Sequence, residues 1–155
     1  MEGMVEGRRD RDGDPGAQRQ DGDPRAQRQA GRAERMEAIL RRDGGTCFWC
    51  GRPLRGLVRP TTDHVIPRVK GGPSWTENEV AACRRCNAQR GHLGPVEWLE
   101  ECRRRGWPAD PQALARVLSG LREAVRVRGG SRRARPYLDA QLRRLRGLTP
   151  AVPQR

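Results

Sequence analysis

Two short cysteine pairs frame the chemistry available to this chain: "CFWC" at 47–50 and "CRRC" at 83–86. Each C-x-x-C places two thiolates about one turn apart, and four thiolates satisfy the tetrahedral preference of Zn²⁺. Cys47, Cys50, Cys83 and Cys86 are therefore expected to hold a structural zinc ion. A redox C-x-x-C is the competing reading, but two such pairs in one small chain do not suit a thioredoxin-like site. The fifth cysteine, Cys102, falls in a helical pattern and reads as a small buried hydrophobe. Thirty-two residues separate Cys50 from Cys83, more than an ordinary zinc ribbon uses, so an inserted element must sit between the pairs. It contains Asp63-His64, and the chain has only two histidines. Taken alone, the pair is better explained as a core histidine beside a turn carboxylate. Its companions have to decide.

The elements that position these residues must be built from little apolar material. Of 155 residues, 34% are hydrophobic and 4% aromatic, below the usual apolar share of a globular chain. A core this small calls for a further staple, and a structural metal contributes folding free energy outright. The formal net charge is +13, with 32 basic residues against 19 acidic ones. Such a surplus suits a polyanionic partner, above all nucleic acid. Every basic residue but Lys70 is Arg, as a GC-rich coding sequence would give. That bias explains the choice of Arg over Lys but not the surplus of charge. No apolar run approaches the length of a membrane span, and "MEGMVEGRRDRDGD" lacks the apolar region of a secretory signal. The expected location is cytoplasmic, where cysteines favour metal ligation over disulfides.

Residues 1–30 are polar, with a near-repeat, "DGDPGAQRQ" and "DGDPRAQRQ", at 12–20 and 21–29. They read as a disordered low-complexity tail. Met36 is an alternative start that would leave the rest intact. "GRAERMEAILRRDGG" predicts a short amphipathic helix, with Met36, Ile39 and Leu40 on one face and Gly44-Gly45 ending it. Inside the insertion, "LVRPTTDHVIP" has strand propensity stopped by Pro67. "KGGPSWTEN" must reverse the chain, "NEVAAC" is a second strand, and "RRCNAQRGHL" starts a helix. Adjacent strand residues point to opposite faces, so Asp63 and His64 can share one site only if the strand bends or bulges there. Beyond residue 95 the pattern is helical and basic, with fourteen Arg against six acids in 96–155. Val96, Leu99 and Cys102 recur at helical spacing. Asp110-Pro111 is an N-cap and first helical position, and Leu138, Leu142 and Leu145 mark a third helix. These helices could pack on the small domain or lie along a phosphate backbone.

The ordered run Cys47-x-x-Cys50, Asp63-His64, Pro67, Gly71-Gly72, Asn78, Cys83-x-x-Cys86-Asn87, Arg90-Gly91 resembles the zinc-bearing branch of the HNH endonuclease family. His64 and Asn78 are fourteen positions apart, and Asn78 and Asn87 nine. The resemblance spans about residues 35–95 and implies an α+β fold: a small ββα-metal domain with a four-cysteine zinc site. Organisation is then a tail over 1–30, the HNH domain over 31–95 and a basic helical extension over 96–155. By the same resemblance, His64 is the general base. Asp63 and Asn87 are ligands of a catalytic Mg²⁺ or Mn²⁺ ion, and Asn78 braces the hairpin and orients the base. The last motif position is Asn rather than the His of the family's name, which favours an oxygen-preferring ion over Ni²⁺ or Zn²⁺ at the catalytic site. An imidazole titrates near neutral pH, as phosphodiester hydrolysis requires of its base.

The expected activity is hydrolysis of DNA phosphodiester bonds, by cutting or nicking. Two alternatives stay open: a catalytically inactive zinc-stabilised DNA-binding module, and an RNA-directed nuclease. Lys70, Arg84, Arg85 and Arg90 are candidates for phosphate contacts, each balanced against a solvated surface charge. His92, five residues past Asn87, reads as a surface or DNA-contacting group. Trp49, Trp75, Trp98 and Trp107 are expected to pack around the zinc and the helices.

Overall fold

The computed structural model describes residues 31–148; the polar repeat and the tail expected over 1–30 lie outside the described residues. Five α-helices and two strands follow in order: α1 (Arg32–Asp43), β1 (Pro60–His64), β2 (Glu79–Cys83), α2 (Arg84–Arg90), α3 (Pro95–Arg104), α4 (Pro111–Arg128) and α5 (Ala134–Leu148). The class is α+β, and β1, β2 and α2 form the ββα unit.

α1 begins where the Glu34 carboxylate accepts from the Gly31 backbone N–H at 3.3 Å. It ends at Gly44, whose φ of 83° suits a residue without a side chain. Ile39 is its buried residue, and α1 packs against β2. β1 and β2 pair antiparallel, with Pro60 opposite Cys83, Asp63 opposite Val80 and His64 opposite Glu79. The strand segment is shorter than its propensity: Leu57 is fully exposed in the loop before it, and Val65 and Ile66 are buried in a bend after it. The ladder stays regular through Asp63 and His64, so the bulge expected there is absent and the chain bends one residue later. Val65 N–H, donating to Asn78 O at 2.8 Å, carries the pairing past the strand end.

The return from β1 to β2 passes through two single 3₁₀ turns, Arg68–Lys70 and Thr76–Asn78. Gly71 closes the first with φ 85°. At Gly72 a Cβ would lie 1.8 Å from the Ile66 carbonyl oxygen, so no other residue fits this approach.

The basic helices pack rather than extend. Asp110 accepts from Gln112 N–H at 2.8 Å and caps α4, with Pro111 at its first position. Leu114, Leu118, Leu121 and Val125 form its buried stripe, and Leu138, Leu142 and Leu145 face it from α5. α3 buries Val96, Trp98, Leu99 and Cys102. These side chains, the cysteine pairs, Trp49 and Val65 belong to one continuous core. Small as the apolar share is, the arginines of α4 and α5 turn outward and leave the leucines to be buried. No helix among the described residues is long and apolar enough to cross a membrane.

Candidate active site and metal centre

The four paired cysteines converge. Their sulfur atoms all lie within 4.8 Å of one another, and Cys50 Sγ stands 3.9 Å from Cys83 Sγ. A tetrahedron of Zn–S bonds of about 2.3 Å has edges of about 3.8 Å, so the donor set and its size both fit zinc. The first knuckle is tied by Cys47 N–H to Arg52 O at 2.8 Å and by Gly51 N–H to Cys47 O at 2.9 Å. Phe48 N–H donates to Ala81 O, fastening the knuckle to β2, and Cys83 N–H donates to Cys47 Sγ at 3.3 Å. A hydrogen bond from Cys86 draws the Cys47 thiol down to about 4, and donating that bond pushes Cys86 well up. A divalent cation held by the four sulfurs would replace the protons they share. Burial pushes Cys102 up to about 12, which keeps it a thiol inside the core.

On the α2 side of the hairpin sits Asp63. It is buried, and both of its side-chain hydrogen bonds among the described residues fall on Oδ2: from Trp49 Nε1 at 2.7 Å and from Arg90 Nη1 at 2.8 Å. Arg90 is the residue that sequence reasoning misplaced. Offered as a phosphate contact, it is 1% exposed. It also donates to the carbonyls of His64, Val65 and Leu93, and its guanidinium lies 5.1 Å from the Trp49 ring. A guanidinium has donors in a fixed fork, and here carbonyls and one carboxylate occupy them, so the side chain is a clamp inside the fold. Asn87, one turn earlier on α2, donates through Nδ2 to Thr61 Oγ1 at 3.2 Å and Thr62 O at 3.3 Å. Asp63 Oδ1 and Asn87 Oδ1 are left without hydrogen bonds among the described residues. Each oxygen is of the hard type that Mg²⁺ or Mn²⁺ prefers, although Arg90 already offsets the charge of Asp63.

His64 turns to the opposite side. Its Nε2 lies 3.0 Å from Ser74 Oγ and 3.3 Å from Glu79 Oε1. Glu79 is fully buried and also holds Arg35 Nε, from α1, at 2.7 Å on Oε2. Burial pulls the His64 imidazole below its ordinary value, the Glu79 carboxylate opposes this, and the Arg68 guanidinium adds to it. The structure therefore does not bring Asp63 and His64 to one face of the strand; it places them back to back at its end.

Asn78 is completely buried and ties the loop. Its Oδ1 accepts from Ile66 N–H at 2.8 Å, and its Nδ2 donates to Ile66 O at 3.1 Å and Pro73 O at 2.9 Å. Asn78→Ala is expected to lower stability by about 2–3 kcal/mol, because a buried donor or acceptor left unpaired costs about 1–3 kcal/mol. Urea unfolding followed by far-UV dichroism checks this; a wild-type midpoint would show that the loop does not depend on the amide.

Lys70, Arg84 and Arg85 are exposed, as is His92. Arg85 lies 4.8 Å from the Trp107 ring and Lys70 5.5 Å from the Tyr137 ring, so both extend from aromatic supports with their charges at the surface. Ser74, Glu79 and Arg35 are site neighbours that sequence reasoning did not single out, and Trp49, expected to pack around the zinc, also bonds Asp63. Glu79 carried a signal: it is a charged residue at the head of the apolar run "VAAC".

A ββα unit with a four-cysteine metal centre and an Asp-His pair at the end of its first strand defines the class of protein. Residues 47–97 match the family model described as HNH endonuclease, and this segment is an HNH endonuclease domain. A CRISPR-associated endonuclease Cas9 of Corynebacterium diphtheriae is 32% identical over 62 residues, covering 39% of this chain. The chain spans 6% of that relative's length.

Proposed function

We propose that this protein is a metal-dependent endonuclease that hydrolyses DNA phosphodiester bonds, with His64 as general base. The observation that carries the reading is the placement of His64 within the matched segment. Its side chain is 20% exposed at the strand end, and among the described residues its ring is bonded through one nitrogen only. The other nitrogen can take a proton from water as the water oxygen bonds to phosphorus and the P–O3′ bond breaks. A 5′-phosphate and a 3′-hydroxyl result. Asp63 and Asn87 would hold Mg²⁺ or Mn²⁺, which supplies positive charge to the scissile phosphate and the leaving oxygen. Because Asp63 and His64 project from opposite faces of a regular strand, joint action on one phosphate requires the strand end to turn when nucleic acid binds. The four cysteines would hold structural zinc. Asn78 keeps the loop bearing Ser74 in place beside the base. Lys70, Arg84 and Arg85 would contact the backbone phosphates, adding a salt-dependent and sequence-independent affinity. Residues 31–95 would form the catalytic unit, with 96–155 as the basic helical part braced against it.

One observation favours a second reading, a zinc-stabilised binding module that does not cleave: Arg90 already neutralises Asp63. A supercoiled-plasmid nicking assay separates the two. With Mg²⁺ or Mn²⁺ the wild type should nick, and His64→Ala should fall by roughly 10²–10⁴-fold, the usual contribution of a positioned base. Equal cutting by both proteins would remove His64 from the mechanism. DNA retained in a gel shift without cutting under either ion would establish the binding module. RNA substrates run alongside decide which polymer is hydrolysed.

A further inference from the structure

Glu79 has no part in the mechanism just proposed, yet it is the most deeply buried charged group beside the base. It stands directly opposite His64 in the ladder, so the two side chains project from the same face. Its carboxylate is fully buried. Arg35 takes Oε2, while Oε1 is buried with no hydrogen bond of its own among the described residues and faces His64 Nε2 at 3.3 Å. Arg42 of α1 donates to the Glu79 and Thr76 carbonyls, both at 2.8 Å, and so fixes the start of β2. The support of the carboxylate therefore comes from α1, which lies outside the matched segment 47–97.

A buried carboxylate at this distance discriminates between the two neutral forms of the imidazole. If Nε2 carries the proton, its N–H dipole points at Ser74 Oγ with the negative Oε1 alongside, which is attractive. If Nε2 carries the lone pair, that lone pair faces a carboxylate, which is repulsive, and low surrounding polarity strengthens both effects. We infer that Glu79, anchored by Arg35 and Arg42 of α1, is a positioning residue that holds His64 in its Nε2–H form and leaves Nδ1 as the base. Ser74 is the hydrogen-bond acceptor that fixes the ring plane. No partner of Nδ1 is found among the described residues, so that nitrogen can receive the water proton. The inference rests on His64 being the general base, but its central statement concerns the resting ring and can be read without cleavage.

The test uses the full chain loaded with zinc, as wild type, Glu79→Gln and Glu79→Leu. Long-range ¹H–¹⁵N correlation spectra of the histidine rings, recorded where His64 is neutral, report which nitrogen bears the proton; His64→Ala identifies the signals. The wild type should show Nε2–H, Glu79→Leu a mixture or Nδ1–H, and Glu79→Gln an intermediate. In the nicking assay kcat should fall about 10- to 100-fold in Glu79→Leu, the usual size of such supporting contacts, with KM unchanged and partial recovery in Glu79→Gln. A wild-type ring carrying its proton on Nδ1 overturns the inference, whether or not the protein cleaves. So does Glu79→Leu with the wild-type form and wild-type kcat. If Glu79→Leu fails to fold, the wild-type spectrum and Glu79→Gln still decide. A wild type that shows Nε2–H but cuts no nucleic acid would end the nuclease reading and leave the Glu79 arrangement standing.

Discussion

Replacing Cys83 by Ser should abolish metal binding and unfold the domain. Cys83 ends β2 and caps α2, so its sulfur joins the hairpin, the helix and the first knuckle at one point. A structural Zn²⁺ contributes roughly 10–16 kcal/mol of apparent binding free energy near neutral pH, against a net stability of about 5–15 kcal/mol for a typical domain. Losing most of that term leaves a chain with few apolar residues and no alternative staple. The effect should be reproduced by a strong chelator and by acid, because the ligands must be thiolates and protons compete for them. Metal analysis with thermal melting checks it, and Cys102→Ala serves as control, since Cys102 lies in the core and holds no metal. Stoichiometric metal and an unshifted melt in Cys83→Ser would refute the four-cysteine centre.

Arg90→Met should destabilise the fold by about 3–5 kcal/mol, the cost of removing one partner of a buried ion pair. Asp63 would keep its charge in a buried setting with only the Trp49 indole to bond it. The carbonyls of His64, Val65 and Leu93 would each lose a donor. Combining Arg90→Met with Asp63→Asn should recover part of the loss, because the second change removes the stranded charge; measuring Asp63→Asn alone closes the cycle and gives the coupling energy of the pair. The exposed neighbours behave differently. Arg84→Ala should stay within about 0.5 kcal/mol of wild type and act on nucleic-acid affinity and its salt dependence instead. Denaturant unfolding and gel-shift titration of the same variants separate the two behaviours. A wild-type unfolding midpoint with weakened DNA binding for Arg90→Met would return this residue to the nucleic-acid surface.

Which features were legible in the sequence follows from the range of the forces involved. The metal centre could be read because its donors are chemically distinctive and their local spacing is set by a single turn of backbone. The hairpin, α2 and the capped start of α4 could be read because strand propensity, Gly-Pro punctuation and the Asp110-Pro111 pair act over a few residues. The family resemblance makes Asn87 a fellow ligand of Asp63, and Arg90 lies three positions further on a helix, hence on the same face. That relation would have turned Arg90 inward, but a charged residue carries no local mark of the carboxylate that will neutralise it. The regular ladder through His64 is a second case. An expected bulge gave way because Asn78 closes the bend one residue later, using groups twelve positions away in sequence. The basic helices are a third, since an amphipathic arginine-rich helix is equally suited to a core or to phosphate until its apolar stripe meets another. Local chemistry sets the donors, the elements and their order, so these can be read along the chain. That Asp63 and His64 stand back to back, that Arg90 clamps one and that Glu79 backs the other emerges when the elements pack. Those pairings depend on the desolvation of charges brought together across the fold, which no short stretch of chain encodes.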